Sequence, residues 1–259
     1  MTTRGRPAGD FDYEEHGAGY ASARRPDPRI AARISAALGA SRTVLNVGAG
    51  AGSYEPADRY VLAVEPSAAM RAQRPAHAVP AVDAVAEHLP FDDDSFDAAM
   101  ATMTVHQWSD VDLGLREMRR VSRGRVVVLT LDASALQQFW LSDYIPQVVA
   151  VEQARFPTPE QVVAALDPGS EEVRVDVVSV PRDCTDGFGE AFYARPEAFL
   201  RPEVRAATSG LVLTDPAQVQ RGLDRLQQDL ASGAWDQAYG HLREQAEHHG
   251  ALRLITAST

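Results

Sequence analysis

The chain has 259 residues, of which 45% are hydrophobic and 24% charged. This balance is that of a globular protein able to bury a sizeable core. The formal net charge of −11 at pH 7 argues against a nucleic-acid partner, because most non-specific affinity for nucleic acid comes from a cationic surface.

Cysteine usage and the N-terminal sequence set further limits. Cys184 is the only cysteine, which excludes an internal disulfide and a multi-thiolate zinc site. The first fifteen residues contain no apolar core like that of a signal peptide, and no apolar run approaches the length of a membrane span. We therefore expect a cytoplasmic protein without a membrane partner, either a monomer or a homodimer.

The first predicted helix spans 28–39. Ile30, Ile34 and Leu38 recur there every four residues, and Pro28 stands near the start. The residues before this helix are polar and contain several glycines and prolines. They predict an arm that leads into the folded part of the chain.

Five short apolar runs follow and alternate with helical or turn-forming stretches. Continuous apolar runs bounded by turn residues are typical of parallel strands buried on both faces. A helical pattern at 111–122 separates the last two runs and favours βαβ units. The sequence therefore predicts a doubly wound parallel α/β sheet with strands at 43–47, 60–64, 78–82, 96–101 and 125–131.

Helical patterns dominate the chain beyond residue 132. Pro202 and the Asp215-Pro216 pair mark two helix starts. Strand-like runs occur at 172–180 and 251–257. We predict one domain, 1–259, whose core comprises about 28–132, 172–182 and 250–257 and whose helical lid comprises about 133–166 and 186–249.

The first predicted strand ends in a glycine-rich turn, VLNVGAGAGSYEP. Glycines at 48, 50 and 52 let the backbone approach a ligand with no β-carbon in the way. The N-terminus of a following helix would offer free N–H groups to a carboxylate or a phosphate. Ser53 stands where the dinucleotide pattern G-x-G-x-x-G requires its third glycine. A glycine turn that serves only packing remains an alternative.

Two side chains after the second predicted strand fit a nucleoside. Glu65 ends that strand, where its two oxygens could accept hydrogen bonds from both ribose hydroxyls. Met70 could pack flat on a purine. A solvated carboxylate and a helix-core methionine are the alternatives. Together with the glycine turn, the pattern favours a nucleoside with an amino-acid tail over a dinucleotide.

Four segments occur in the order and spacing of class I S-adenosylmethionine-dependent methyltransferases: VLNVGAGAG, AVEPSAAM, AEHLPFDDDSFDAAMA and TVHQW. The chain resembles this family over about 20–132, most of all the branch with ubiquinone-type C-methyltransferases and their LPF-x-D-x-SFD signature. The resemblance implies a Rossmann-like fold with a seven-stranded, mostly parallel sheet. It also implies S-adenosylmethionine as cofactor and in-line transfer of its sulfonium methyl to a small-molecule acceptor.

The resemblance further implies a set of cofactor-binding residues. The glycine turn would line the methionine portion, the end of the second strand would hold the ribose, and residues before the LPF motif would border the adenine. An arm motif, YASARRP, would fold over the cofactor carboxylate. The implied residues are Tyr20, Arg24, Asn46, Gly48, Ala49, Gly50, Gly52, Glu65, Pro66, Met70, Ala86, Glu87 and Ala101, the last lying under the methionine amine.

The chain departs from the family pattern at two of these places. Asn46 replaces the acidic residue usual two positions before the first glycine, so no charge faces the methionine ammonium there. Val85 replaces the acidic residue often found just before Ala86. Both changes could weaken the affinity for the cofactor.

Three residues are candidates for contact with the acceptor. His106 follows the fourth predicted strand, at the carboxyl edge where ligands bind in such sheets. It titrates near neutrality and could act as a base toward a hydroxyl or an amine. Trp108 could wall the acceptor pocket, and Asp186 lies in an aromatic and acidic stretch of the insertion. The alternative is that His106 and Trp108 only shape the cofactor pocket. No metal-binding constellation is evident, because the histidines near the C-terminus lack a carboxylate pattern.

Other functions remain open at this point. An enzyme of the same fold could use the same cofactor for other chemistry, such as cyclisation. A nicotinamide-dependent oxidoreductase is disfavoured by the missing third glycine and by the LPFDDDSFD run. A catalytically silent binding module has no sequence feature in its favour.

Overall fold

The computed structural model describes residues 24–166 and 172–258. Tyr20, expected to fold over the cofactor, lies outside the described residues. No helix in the described ranges is both long enough and apolar enough to cross a membrane.

Seven strands form one sheet: β1 (Thr43–Val47), β2 (Tyr60–Val64), β3 (Ala81–Val82), β4 (Phe96–Thr102), β5 (Ser122–Leu131), β6 (Val173–Val177) and β9 (Leu252–Ser258). Their order in the sheet is β3-β2-β1-β4-β5-β9-β6. Strands β1 to β5 are parallel to one another, and β9 runs antiparallel to both β5 and β6. This confirms the predicted seven-stranded, mostly parallel sheet. A separate short pair joins β7 (Val180–Pro181) to β8 (Glu247–His248).

One predicted strand is shorter than expected, and one predicted helix is absent. The run at 78–82 contributes only Ala81–Val82 to the sheet. Residues 48–59 form turns, so the helix expected after the glycine turn is not there. Gly52 and Tyr54 take positive φ angles of 93° and 63°, a conformation that a right-handed helix cannot contain. The expected helix N-terminus therefore offers no N–H groups to a ligand.

Helices cover both faces of the sheet. On one face, α3 (Val111–Val121) and α6 (Pro159–Leu166) pack against apolar residues of β1, β4, β5 and β9. On the other face lies α1 (Pro28–Leu38), which begins where the Asp27 side chain accepts from the backbone N–H of Arg29. The short helix α2 (Ala68–Ala72) follows β2.

The position of α6 corrects the predicted lid. Val162 and Leu166 are fully buried in the same cluster as Ile255 of β9. The helix is thus the crossover that links the parallel strands β5 and β6. It belongs to the sheet core, whereas 133–166 was expected to be lid.

The remaining helices form the insertion over the sheet. They are α4 (Leu141–Tyr144), α5 (Pro146–Arg155), α7 (Pro202–Ala206), α8 (Ser209–Leu213), α9 (Pro216–Ser232), α10 (Ala234–Tyr239) and α11 (His241–Glu244), with 3₁₀ turns at Ala135–Gln138, Gly189–Phe192 and Pro196–Leu200. Helices α7 and α9 begin at the predicted Pro202 and Pro216.

One hydrophobic cluster joins the insertion to the sheet. Trp140 and Trp235 pack edge to face at its centre, with ring centroids 5.6 Å apart. The cluster continues to Leu131, at the carboxyl end of β5, and to Leu252, at the start of β9. The insertion is therefore fixed at the carboxyl edge of the sheet.

Candidate active site

The glycine loop at the end of β1 has a backbone that favours glycine. Gly48, Gly50 and Gly52 have φ angles of 67°, 52° and 93°, where other residues are strained. A β-carbon on Gly48 would lie 2.2 Å from Oγ1 of Thr104. The N–H of Ala49 donates to the carbonyl of Val64 at 2.9 Å. The loop thus folds back on β2.

Glu65 lies beside this loop. Its two carboxylate oxygens accept separately from the N–H groups of Gly50 and Ser67, each at 2.8 Å. The residue is only 6% exposed, and this burial raises the pKa of its carboxyl group. Each oxygen keeps a further lone pair, so the fixed carboxylate can still accept from a diol. Met70 is buried, with its Cε 3.3 Å from the place of a β-carbon on Gly50.

Asn46 stands on β1, just before the glycine loop, and is fully buried. Its Nδ2 donates to Oε1 of Glu55 at 3.0 Å. Its Oδ1 has no hydrogen-bond partner among the residues that the structure describes. Nη2 of Arg74 lies 2.9 Å from both oxygens of Glu55. Sequence reasoning missed Glu55 and Arg74, since Glu55 follows the glycines that carry the pattern and Arg74 lies outside the quoted segments.

Arg24, Tyr54 and Asp186 meet at the other side of the loop. Nε of Arg24 donates to Oδ1 of Asp186 at 2.6 Å, and the Tyr54 hydroxyl donates to Oδ2 at 2.8 Å. The side chains of Arg24 and Asp186 are 10% and 3% exposed. Burial and the Asp186 charge raise the pKa of Tyr54 far above its usual value. Asp186, which the sequence predicts at the acceptor, thus forms an ion pair with Arg24 at the end of the arm and accepts a hydrogen bond from Tyr54 of the glycine loop.

Residues expected around the adenine lie together on the α3 side of the sheet. Ala86 and Glu87 are buried there. Oε1 of Glu87 accepts from the N–H groups of Ser109 and Asp110 at 2.7 and 3.0 Å. This carboxylate therefore fixes the chain that leads into α3.

Trp108 packs on helix α3. A β-carbon on Gly114 of α3 would lie 2.5 Å from Cε3 of Trp108 and 3.2 Å from the Ala86 β-carbon. The indole is thus next to Ala86. This position fits the alternative that Trp108 shapes the cofactor pocket better than it fits a wall of the acceptor pocket.

Two further predicted cofactor residues differ in their surroundings. Ala101 of β4 is fully buried in the same cluster as Leu45 and Val47. Because side chains alternate along a strand, this face of the sheet is opposite to that of Asn46. Pro66 follows Glu65 and is partly buried.

His106 lies in a 3₁₀ turn directly after β4. Its ring stacks on Phe156, with centroids 4.0 Å apart and an interplanar angle of 22°. Nδ1 is buried and has no hydrogen-bond partner in the described part of the chain. Burial, with smaller effects from the positive charges of Arg155 and Arg24, lowers the pKa of His106 well below 6.5. The imidazole is therefore neutral at pH 7.

The remaining reactive groups have other partners. Cys184 is buried, which raises the pKa of its thiol to about 12, so it is not a nucleophile near neutral pH. Nε2 of His248 lies 3.4 Å from Oε1 of Glu190. His249 is hydrogen-bonded to the Ser179 hydroxyl at 2.8 Å. These two neighbouring histidines thus contact different groups.

The fold and the loop define a nucleoside-binding protein of the Rossmann-like class, and comparisons with known proteins extend this. A family model for a methyltransferase domain matches residues 45–130. A putative methyltransferase from an antibiotic biosynthesis pathway of Anabaena variabilis has a structure similar to this one, with a TM-score of 0.85 and 32% identity. The match covers 92% of this chain and 99% of that one. The chain therefore belongs to the class I S-adenosylmethionine-dependent methyltransferases.

Two more distant structures share the fold. A possible histamine N-methyltransferase from Thermotoga maritima has 18% identity and a TM-score of 0.56, and the match covers 95% of each chain. The geranyl diphosphate C-methyltransferase of Streptomyces coelicolor A3(2) has 16% identity and a TM-score of 0.51, with 88% of this chain and 78% of that one covered. No curated protein matches the chain significantly. The ubiquinone-type branch is not specifically indicated by these matches.

The residues present fit S-adenosylmethionine, the cofactor of this family. The glycine loop has the positive φ angles that favour glycine, Glu65 offers two acceptor oxygens, and the buried Oδ1 of Asn46 has no hydrogen-bond partner among the described residues. The cofactor supplies an electrophilic methyl group on a sulfonium. The protein's part is to hold it, to exclude water and to orient the acceptor.

Proposed function

We propose that the methyl acceptor is a small molecule, bound between the carboxyl end of β5 and the helical insertion. The observation that carries this proposal is a mainly apolar cavity at that place, with a volume of about 50 Å³. Its lining residues come from the end of β5 and from the insertion: Leu131, Leu136, Phe139, Leu141, Ser142, Ile145, Val148, Val149, Glu152, Gly189, Glu190 and Thr208.

The cavity borders the site of His106. Glu152, in its wall, lies one helical turn before Phe156, whose ring stacks on His106. Glu152 also pairs with Arg155 at 3.0 Å, and the Arg155 charge contributes to lowering the pKa of His106. A ligand in the cavity would therefore lie near His106, which directly follows β4, and ligands in such sheets bind at the carboxyl ends of the strands.

The size and lining of the cavity favour a small acceptor. About 50 Å³ holds a few water molecules, or one apolar group of a larger molecule. Glu152, Glu190, Ser142 and Thr208 supply the few polar atoms that orient a ligand in an apolar site. The acidic chain, with a net charge of −11, disfavours a nucleic-acid acceptor.

His106 orients the acceptor through a hydrogen bond in this proposal. A catalytic base works best when its pKa lies near the working pH. The pKa of His106 is well below 6.5 because of burial and nearby arginines, so a proton on this ring is disfavoured. Neutral Nδ1, buried and without a partner among the described residues, is suited to accept a hydrogen bond from a hydroxyl or an amine.

The experiment follows the methyl group. The chain is incubated with S-adenosylmethionine carrying a radiolabelled methyl, in the presence of a panel of small phenols, amines and carboxylic acids or, separately, bulk tRNA or protein. We expect label in the small-molecule fraction, together with an equal amount of S-adenosylhomocysteine. Label in tRNA or protein alone would contradict the proposal. The Gly50→Val variant, whose side chain would fill the cofactor space, is the control for background transfer.

A further inference from the structure

Asn46 lacks the charge that methyltransferases of this class usually place before the glycine loop, yet a carboxylate lies next to it. Oε1 of Glu55 accepts from Nδ2 of Asn46 at 3.0 Å. Oε2 and Cδ of Glu55 lie 3.3 and 3.5 Å from the place of a β-carbon on Gly52. The Glu55 carboxylate therefore stands between β1 and the glycine loop.

This contact fixes the orientation of the Asn46 amide. A carboxylate accepts but cannot donate, so it selects the amide nitrogen and turns Oδ1 away. Asn46 is 0% exposed, and its Oδ1 has no hydrogen-bond partner within 24–166 and 172–258. Buried acceptors are nearly always paired. An unpaired one beside a ligand loop points to a donor on the ligand.

Arg74 holds Glu55 in this position. Its Nη2 lies 2.9 Å from both carboxylate oxygens and also 2.9 Å from the carbonyl of Val79. The side chains of Arg74 and Glu55 are 5% and 13% exposed. The pair is thus largely withdrawn from water, and Glu55 has little freedom to leave Asn46.

We propose that Glu55 is a positioning residue for the cofactor: it holds the Asn46 amide so that Oδ1 accepts a hydrogen bond from the methionine ammonium of S-adenosylmethionine. The carboxylate that is missing at position 46 is supplied by residue 55 and acts through the amide. The pair thereby compensates for the departure from the family pattern.

Calorimetric titration of the full chain tests this with two ligands. S-Adenosylhomocysteine carries the ammonium; its deamino analogue, with hydrogen in place of the amino group, does not. We expect Glu55→Gln to raise the dissociation constant of S-adenosylhomocysteine about tenfold, because a glutamine no longer dictates the amide orientation. The constant for the deamino analogue should change less than about twofold. Equal losses for both ligands, or no loss for either, would overturn the proposal.

Two further variants separate positioning from a general structural role. Asn46→Leu should weaken only the ammonium ligand, and adding Glu55→Gln to it should have no further effect, since Glu55 acts through Asn46. The swap Asn46→Asp with Glu55→Gln should restore affinity to within about threefold, because the new glutamine can donate to the new carboxylate. Three outcomes would each contradict the proposal. Asn46→Leu binds S-adenosylhomocysteine as tightly as wild type, the losses of affinity from Asn46→Leu and Glu55→Gln add together, or the swap variant folds but does not regain affinity.

Discussion

The hydroxyl oxygen of Tyr54 lies 2.8 Å from Oδ2 of Asp186, although 132 residues separate them along the chain. Tyr54 belongs to the glycine loop and Asp186 to the start of the insertion. Asp186 is also paired with Arg24, at the end of the N-terminal arm. One buried carboxylate thereby joins three segments that are distant along the chain.

Removing the Tyr54 hydroxyl or the charge of this carboxylate should lower stability. Tyr54→Phe should lower the free energy of unfolding by about 1 kcal/mol, the value of one hydrogen bond. Asp186→Asn should cost more, about 3 kcal/mol, because it removes the negative charge from a largely buried ion pair with Arg24. Urea denaturation measures both values.

The same variants should weaken cofactor binding, because they remove or weaken the hydrogen bond between Tyr54 of the glycine loop and Asp186 of the insertion. Tyr144→Phe is the matched control: its hydroxyl donates to Asp229 at 2.9 Å, within the insertion. It should lower stability without changing the affinity for S-adenosylhomocysteine. Loss of affinity in Tyr144→Phe but not in Tyr54→Phe would show that the Tyr54 contact does not support the site.

Gly50→Val should abolish binding of S-adenosylhomocysteine, because the branched side chain occupies the crevice beside Met70. Gly233→Val is its control. Gly233 also has a positive φ, 80°, but a β-carbon there would meet nothing within 4 Å. Both substitutions strain the backbone by about 1–3 kcal/mol, yet only Gly50→Val should affect the calorimetric titration. Wild-type affinity in Gly50→Val would place the cofactor elsewhere.

The sequence predicts much of the sheet and less of what surrounds it. Buried strands such as Thr43–Val47 and Phe96–Thr102 appear as continuous apolar runs because both of their faces are covered. The run at 159–166 is equally apolar, but only the structure shows that it packs on β9 rather than in the lid. Periodicity identifies a helix without telling which surface it covers.

Sequence patterns likewise predict only part of the candidate site. The glycine loop and Glu65 follow from a local pattern, and the structure places them in contact. The contact of Asn46 with Glu55 and that of Tyr54 with Asp186 depend on how the chain folds, so no local pattern predicts them. The closeness of His106 and Trp108 in sequence leaves open whether both contact the acceptor or both shape the cofactor pocket. In the structure, the His106 ring stacks on Phe156, whereas the Trp108 ring packs on α3.

His106 should make the protein less stable in acid. Its pKa in the folded chain is well below 6.5, while its pKa in the unfolded chain is about 6.5. Between these values the unfolded chain binds a proton that the folded chain does not. The free energy of unfolding therefore falls as the pH drops below about 6.5. From pH 7.5 to 5.5, wild type should lose about 1 kcal/mol more than His106→Gln in urea denaturation.

Turnover tests the role of the same residue. If His106 only orients the acceptor, His106→Asn should lower kcat by about tenfold and leave the affinity for S-adenosylhomocysteine unchanged. A true base would cost about 10²–10⁴-fold. A loss in that range, with a pH–rate profile that follows a histidine, would contradict the hydrogen-bonding role.

Gly189→Leu should block the acceptor cavity. A β-carbon on Gly189 would meet only Cγ2 of Thr208, at 3.9 Å, so the backbone tolerates a side chain that then fills the space. The KM for the acceptor should rise at least about tenfold, while the dissociation constant of S-adenosylhomocysteine stays the same. Gly189→Ala is the smaller control. Unchanged KM in Gly189→Leu would show that the acceptor binds elsewhere.

The central claim, a site built for S-adenosylmethionine, is tested most directly by thermal unfolding with added ligands. S-Adenosylhomocysteine at one hundred times its dissociation constant should stabilise the chain by about 2.7 kcal/mol, which raises the Tm by roughly 5–10 °C for a domain of this size. NAD and NADP at the same concentration should leave the Tm unchanged. A rise with a nicotinamide dinucleotide and none with S-adenosylhomocysteine would contradict the account.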